Sequence, residues 1–152
     1  MNPDRFKTPG PTWLHLYAGP AVEFEAELRA LDRDDLRVRC VRGGKMRNKA
    51  DLLDEFAAAL QFPCVFGGNW NSFADCLYYE GPATLVVGIF EARKVLKDGS
   101  SREGSNFWRI LSEVAQTEPA SRLHVVLQVE TADRAKLQKQ LDALNLTAAP
   151  VA

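Results

Sequence analysis

The sequence predicts an α/β fold: a small, mostly parallel sheet of three to four strands packed with helices. Three observations carry this. Apolar segments of strand length alternate along the chain with segments of helical period, the pattern of a sheet wound with helices. Leu85 to Phe90 and Leu123 to Val129 are nearly continuous apolar runs, as expected of strands covered on both faces. The chain has 152 residues, 46% hydrophobic and 26% charged, which suits a single core.

The elements follow in order. Residues 1–11 are polar, carry Pro3, Pro9 and Pro11, and read as a flexible leader to one domain over 12–146. Thr12 to Tyr17 forms a short strand, broken by Gly19-Pro20, and Pro20 is placed to open a helix. Phe24, Leu28 and Leu31 recur at helical spacing and predict an amphipathic helix over 21–31. Leu36, Val38 and Cys40 alternate with Arg37 and Arg39, a half-exposed strand. Asn48 caps the next helix, Asp51 favours its first turn, and Leu52, Leu53, Phe56 and Leu60 form its buried stripe. A loop over 62–69 leads to a short helix over 70–79. After the strand at 85–90, residues 97–104 are polar and read as flexible. Phe107, Ile110, Leu111 and Val114 mark a further helix, stopped near Pro119. The strand at 123–129 and a last helix, capped by Thr131 and facing inward through Leu137, Leu141 and Leu144, complete the domain. The first strand and helix are expected to add a strand beside the one at 36–41.

Several function classes leave no trace. The net charge is -1, so no global basicity invites nucleic acid or an anionic membrane. The start lacks the apolar core of a signal peptide, and no apolar run is long enough to span a bilayer, so the protein is expected in the cytoplasm. Cys40, Cys64 and Cys76 are odd in number with no CxxC pair, which argues for buried free thiols rather than a disulfide framework or zinc site. No GxGxxG or GxxxxGK[ST] occurs, no metal-ligand spacing is present, and no cofactor is implied. Arg42-Gly43-Gly44-Lys45 is a basic glycine turn able to touch a phosphate, but so short a motif reads first as a solvated connection. His15 and His124 fall inside strands, where a core or sheet-face role is the default.

Local charge is less bland. From Arg37 to Lys49 there are six basic residues and no acidic one; from Asp51 to Ala92 there are six acidic residues and no Lys or Arg. A cation-free stretch is a candidate docking surface for a basic partner, set against the plainer reading of solvated charges. Within it, Trp70, Phe73 and Leu77 share one helix face and anchor the 70–79 helix. Asn71, Ala74, Asp75 and Tyr78 share the opposite stripe. Aspartate competes for backbone hydrogen bonds in mid-helix. An Asp there beside an exposed Tyr suits a recognition surface: a carboxylate for Arg or Lys, framed by aromatic area.

The run from Phe62 to Leu77, FPCVFGGNWNSFADCL, resembles the barstar family's signature, roughly F-P-x-[WY]-[FY]-G-x-N-W-D-A-L-x-D-C-L. Phe62, Pro63, Phe66, Gly67, Asn69, Trp70, Asp75, Cys76 and Leu77 match it. The likeness covers about residues 36–130, specific at 62–77 and architectural elsewhere. It implies a barstar-like fold and an intracellular inhibitor, an immunity protein, that blocks the active site of a ribonuclease and is not an enzyme. The implied partner is a cognate basic ribonuclease or related nuclease toxin, bound one to one, with no direct contact to nucleic acid or membrane. The implied docking surface runs through Val65, Phe66, Gly67, Gly68 and Asn69. It continues on the helix through Asn71, Ala74, Asp75, Tyr78 and Tyr79, with Glu80 and Glu113 adding charge. Asp75 matches the residue that occupies the enzyme's phosphate pocket.

The chain departs from the pattern at Asn71, where the family has Asp, and at Val65, where it has an aromatic. Those departures keep open a module of the same fold with a non-ribonuclease partner. A hydrolase or transferase using Cys64 or Cys76 and direct nucleic-acid binding through residues 37–49 are the further alternatives.

Overall fold

The computed structural model describes residues 1–7, 12–63, 66–78, 83–117 and 122–151. They form five strands and five α-helices: β1 (Leu14–Ala18), α1 (Ala21–Leu31), β2 (Leu36–Arg42), α2 (Lys49–Leu60), α3 (Trp70–Tyr78), β3 (Thr84–Phe90), α4 (Ser101–Ala115), β4 (Leu123–Val129), α5 (Arg134–Ala143) and β5 (Ala149–Pro150). All five strands are parallel, in the order β2-β3-β4-β1-β5. The α/β class expected from the sequence holds, with one strand more than expected. That strand, β5, spans two residues, too few to show a period.

The placement of β1 is a correction. It pairs with β4, from Leu14 opposite Val125 to Ala18 opposite Val129, and lies three places from β2 rather than beside it. Leu14 through Tyr17 are all buried. Such a strand belongs in the sheet's interior, between two neighbours, where helices cover both faces.

The sheet's alternation sorts the core into two layers. Val86 and Val126 face Phe24, Leu28 and Leu31 of α1. Val87, Ile89, Val125 and Leu127 face the other layer, with Phe56, Phe107 and Leu111 among its members. A Cβ at Gly88 would stand 2.4 Å from Leu28 Cδ1, so the glycine is what lets α1 seat closely on β3.

Three local expectations change. Residues Pro3–Phe6, expected as part of a flexible leader, form a 3₁₀ turn whose Phe6 is buried beneath α1's layer, because an aromatic ring finds an apolar slot there. The 97–104 stretch expected to be flexible contains the start of α4, with the Ser100 hydroxyl accepting from Glu103 N–H. Thr131 opens a 3₁₀ turn and does not cap α5 through its side chain. Asn48 does cap α2, accepting from Asp51 N–H at 2.9 Å. Cys40, expected buried, is exposed on β2, the strand at one end of the sheet order; Cys76 is half-buried.

His15 and His124 meet between β1 and β4, His15 Nε2 lying 3.0 Å from His124 Nδ1. Phe6 sets its ring edge-on to both, at centroid distances of 5.1 and 5.4 Å. The core role expected for the two histidines is what the structure shows. No described helix is long and apolar enough to cross a membrane.

Candidate docking surface

The connection from α2 to α3 is built by local chemistry. α2 stops at Gln61, which takes the left-handed conformation and returns its N–H to the Ala57 carbonyl. Phe62 N–H also bonds Ala57 O, and Phe66 N–H bonds Pro63 O at 2.8 Å. Gly68 has φ +66°, a conformation that costs glycine little and side-chain-bearing residues more. Asn69 then caps α3: its Oδ1 accepts from Ser72 N–H at 2.8 Å, while its carbonyl accepts from Phe73 N–H. Removing that side-chain acceptor in Asn69→Ala is expected to cost about 1 kcal/mol, read as a lower denaturant midpoint with unchanged m-value.

One face of α3 is locked into an aromatic cluster. Phe73 is fully buried and meets Phe56 edge-on at 5.1 Å, Trp70 at 5.8 Å and Phe62 at 6.2 Å. Leu77 is buried one turn on. Trp70 is half-buried and carries the Lys49 ammonium 5.7 Å from its ring centroid, a cation–π contact from the start of α2. The helix is therefore held by large rigid side chains rather than by its own nine residues, too few to be stable alone.

The opposite face is the exposed one. Asn71, Asp75 and Tyr78 are exposed, and Ala74 is half-buried against the core. Asp75 has no ion pair or hydrogen bond among the described residues. Tyr78 is 51% exposed, yet its hydroxyl is fixed 3.2 Å from Thr117 Oγ1. Thr117 spends its only hydroxyl proton on the Glu113 carbonyl at 2.7 Å, so Tyr78 is the donor to Thr117. This chain ties α3 to the end of α4 and places Glu113 on the flank beside Tyr78. Arg109 pairs with the Glu113 carboxylate at 3.1 Å and offsets its charge.

Among the residues predicted for the surface, Phe66 is half-buried and packs on Phe62, whereas Gly67, Gly68 and Asn69 are exposed at the α3 entrance. Asn71, Ala74, Asp75 and Tyr78 share the helix, with Glu113 alongside. Val65, Tyr79 and Glu80 lie outside the described residues, as does Cys64.

The acidic stretch over 51–92 is not one face. Glu55 is held by Arg42 through two hydrogen bonds of 2.9 Å, which lower the Glu55 carboxyl below its ordinary range. Asp51 bonds Asn48, and Glu91 pairs with Lys94. Among the described acids of that stretch, Asp75 is the one on α3. Counting charge along the chain overlooked pairing across it. The sequence reading also missed the Tyr78–Thr117 link, a contact between residues 39 positions apart. Lys49 over Trp70 was missed too, although a Lys at a helix start facing an aromatic-rich loop was a usable hint.

Solved structures share the fold. Cdc6p from Pyrobaculum aerophilum aligns with TM-score 0.60 at 18% identity, over 90% of this chain and 38% of that one. A Walker-type ATPase of Pyrococcus abyssi aligns with TM-score 0.60 at 15% identity, over 92% of this chain and 48% of that one. Drosophila ORC bound to AT-rich DNA and Cdc6 gives TM-score 0.54 at 13% identity, over 92% and 48%. This chain thus spans less than half the length of those proteins. The turn after β1 reads Ala18-Gly19-Pro20-Ala21, with no phosphate-binding lysine motif, so the likeness is one of architecture. No curated protein matches the chain. The family model described as Barstar (barnase inhibitor) matches residues 36–131, from the start of β2 to just past β4 and including all of α3. The chain belongs to the barstar family.

Proposed function

We propose that this protein inhibits a ribonuclease by laying the α3 face over the enzyme's active site, with Asp75 entering the cationic pocket that binds a substrate phosphate. The observation that carries this reading is Asp75 itself. It is a free, exposed carboxylate on a helix whose other face is fixed by Phe73 and Leu77. A charge held in place before binding loses little conformational freedom on docking, which favours affinity. Tyr78, pinned by Thr117, adds rigid aromatic area next to it. Gly67, Gly68, Asn69, Asn71 and Ala74 complete the surface with small or neutral side chains that let an enzyme's walls approach. Glu113 stands at its margin; Val65, Tyr79 and Glu80, proposed for the same surface, lie outside the described residues. The family is one of non-enzymatic inhibitors.

One observation favours a second reading, a partner of another kind. Among the described residues the face carries one free carboxylate, because Asn71 is neutral and Glu113 is paired with Arg109. A single charge fits cationic sites other than a ribonuclease's.

Parallel pull-downs with wild type and Asp75→Arg as baits distinguish the two. A small basic ribonuclease retained by wild type and lost with the variant is the expected result. Retention of the same proteins by both baits, or of specific partners without nuclease activity, overturns the inhibitor reading.

A further inference from the structure

The carboxyl edge of the sheet carries a second site that the docking surface does not use. In the order β2-β3-β4-β1-β5, the connections leaving β4 and β1 turn to opposite faces: α1 packs on one side, α5 on the other. Neighbouring strands whose continuations diverge in this way leave a crevice beyond their carboxyl ends, where open α/β sheets bind ligands. Here the crevice is a cleft of about 940 Å³, reaching from Arg42 at the end of β2 to Ala21 at the start of α1. That volume is at the upper end of the range for small-molecule sites.

The cleft is built rather than incidental. Gln128 is 1% exposed at its base, and its amide bridges the structure: Oε1 accepts from Glu91 N–H at 2.9 Å and Nε2 donates to Gly19 O at 2.8 Å. This fixes the carboxyl ends of β1, β3 and β4 to one another. The Arg42-Gly43-Gly44-Lys45 turn forms a rim, and Gly43 has a structural reason. A Cβ there would fall 2.3 Å from the Glu91 carbonyl oxygen and 2.5 Å from that of Phe90. Leu96 N–H bonds Met46 O at 2.7 Å, and Arg47 grips Asp98 through two hydrogen bonds, locking this rim to the loop after β3. Two residues of that loop, Glu91 and Leu96, adopt left-handed φ of 49° and 55°. Both line the cleft. Left-handed backbone is strained at non-glycine residues and gathers at functional sites.

The lining fits an anion with an apolar body. Five cationic side chains face three carboxylates around the cleft. Lys45 and Lys97 form no ion pair among the described residues. Arg93 spends Nη1 on Asp133, but its Nε is buried with no hydrogen-bond partner among the described residues, a donor in want of an acceptor. Phe90, Val95 and Val129 supply apolar wall beside these cations. The pattern differs from a P-loop, where backbone amides cradle the phosphates; here side-chain cations would do so.

We infer that this cleft binds a small phosphorylated ligand of nucleotide size, its phosphates held by Lys45, Lys97 and Arg93 and its apolar part resting on Phe90 and Val95. The docking surface lies elsewhere: Tyr78 and Thr117 sit shortly before the amino ends of β3 and β4. A ligand in the cleft and a protein on α3 can therefore bind together.

Titration calorimetry of the full chain with ADP, pyrophosphate and adenosine tests the assignment. ADP is expected to bind saturably with Kd below about 1 mM. Pyrophosphate, lacking the apolar body, and adenosine, lacking the phosphates, should each bind more weakly. Lys45→Glu and Lys97→Glu, both at exposed positions, should each weaken ADP about tenfold or more, the loss of one charge-assisted hydrogen bond. Their melting temperatures report that the fold is kept. Asp75→Ala should leave ADP binding unchanged, so the result is separate from that of the pull-down. Absence of saturable ADP binding at millimolar concentration overturns the inference, as does binding that survives both charge reversals. Pyrophosphate binding as tightly as ADP overturns the nucleotide assignment.

Discussion

Lowering the pH from 7 to 5 is expected to remove about 4 kcal/mol of folding stability, most of it through His15 and His124. Both imidazoles are held neutral well below their ordinary value, at about 4. For His15 burial is the main cause, followed by the charges of His124 and Arg5; for His124 it is burial. A group whose pKa is lowered by folding binds its proton more readily in the unfolded chain. Its contribution is thus intact above about pH 6.5 and is lost as the pH falls from there towards 4. At pH 5 each histidine would forfeit about 2 kcal/mol by this linkage.

The hydrogen bond between the rings adds to burial in resisting protonation. In an N–H···N contact one ring donates and the other accepts. His15 Nδ1 is buried with no partner among the described residues. A bare lone pair is the cheaper atom to leave there, so His15 Nε2–H is assigned as donor to His124 Nδ1. Protonating His124 then destroys the acceptor of that bond. Protonating His15 puts a charge at Nδ1 with no acceptor, in a pocket capped by the Phe6 ring. The carboxyls of Glu55 and Asp98, hydrogen-bonded to Arg42 and Arg47, are shifted downward, away from this window. The check is thermal unfolding at pH 7 and pH 5. A drop of about 8–16 °C is expected for wild type, and a much smaller one for a His15→Leu/His124→Leu double variant. Equal drops in the two proteins would place the acid sensitivity elsewhere.

How much of this was legible in the sequence depended on how local each feature is. Helices α1 and α2 and strands β3 and β4 were visible because apolar period and continuity act over ten residues or fewer. The position of β1 in the sheet was not, because strand order is set by pairing between residues more than a hundred positions apart, as in Leu14 opposite Val125. One hint existed: Trp13-Leu14-His15-Leu16-Tyr17 has no charged residue, unlike β2 with three arginines, and an uncharged strand belongs inside. The start of α4 was also signalled, since Ser100-Ser101-Arg102-Glu103 has the spacing of a capping box, although composition argued for a flexible link. The α3 faces were legible because a helix fixes which residues share a side. Charge was not, because Arg42 reaches 13 residues along the chain to neutralise Glu55. The same long-range view turns the Arg42–Lys45 turn from a solvated connection into the rim of a cleft.

Truncating Asp75 to Ala is expected to weaken the complex with a cationic enzyme site by about 2–5 kcal/mol, or about 30- to 5,000-fold in Kd. That range was set partly by barnase–barstar complexes, so it is a family benchmark and not a value derived from this chain. The loss is large because removing one member of a buried ion pair leaves the other desolvated and unpaired. It should show chiefly in faster dissociation, with helix content unchanged, since Asp75 makes no ion pair or hydrogen bond among the described residues. Asn71→Asp tests the same electrostatics in the opposite direction. Position 71 lies one turn before Asp75 on the same face. A second carboxylate there repels Asp75 by a few tenths of a kcal/mol, but the positive end of the α3 dipole offsets that cost. The free protein should therefore keep its stability, while association with a basic partner quickens and becomes more salt-dependent. If Asn71→Asp instead slows association, the partner's surface opposite α3 is not cationic, and the neutral residue at 71 suits a different kind of partner.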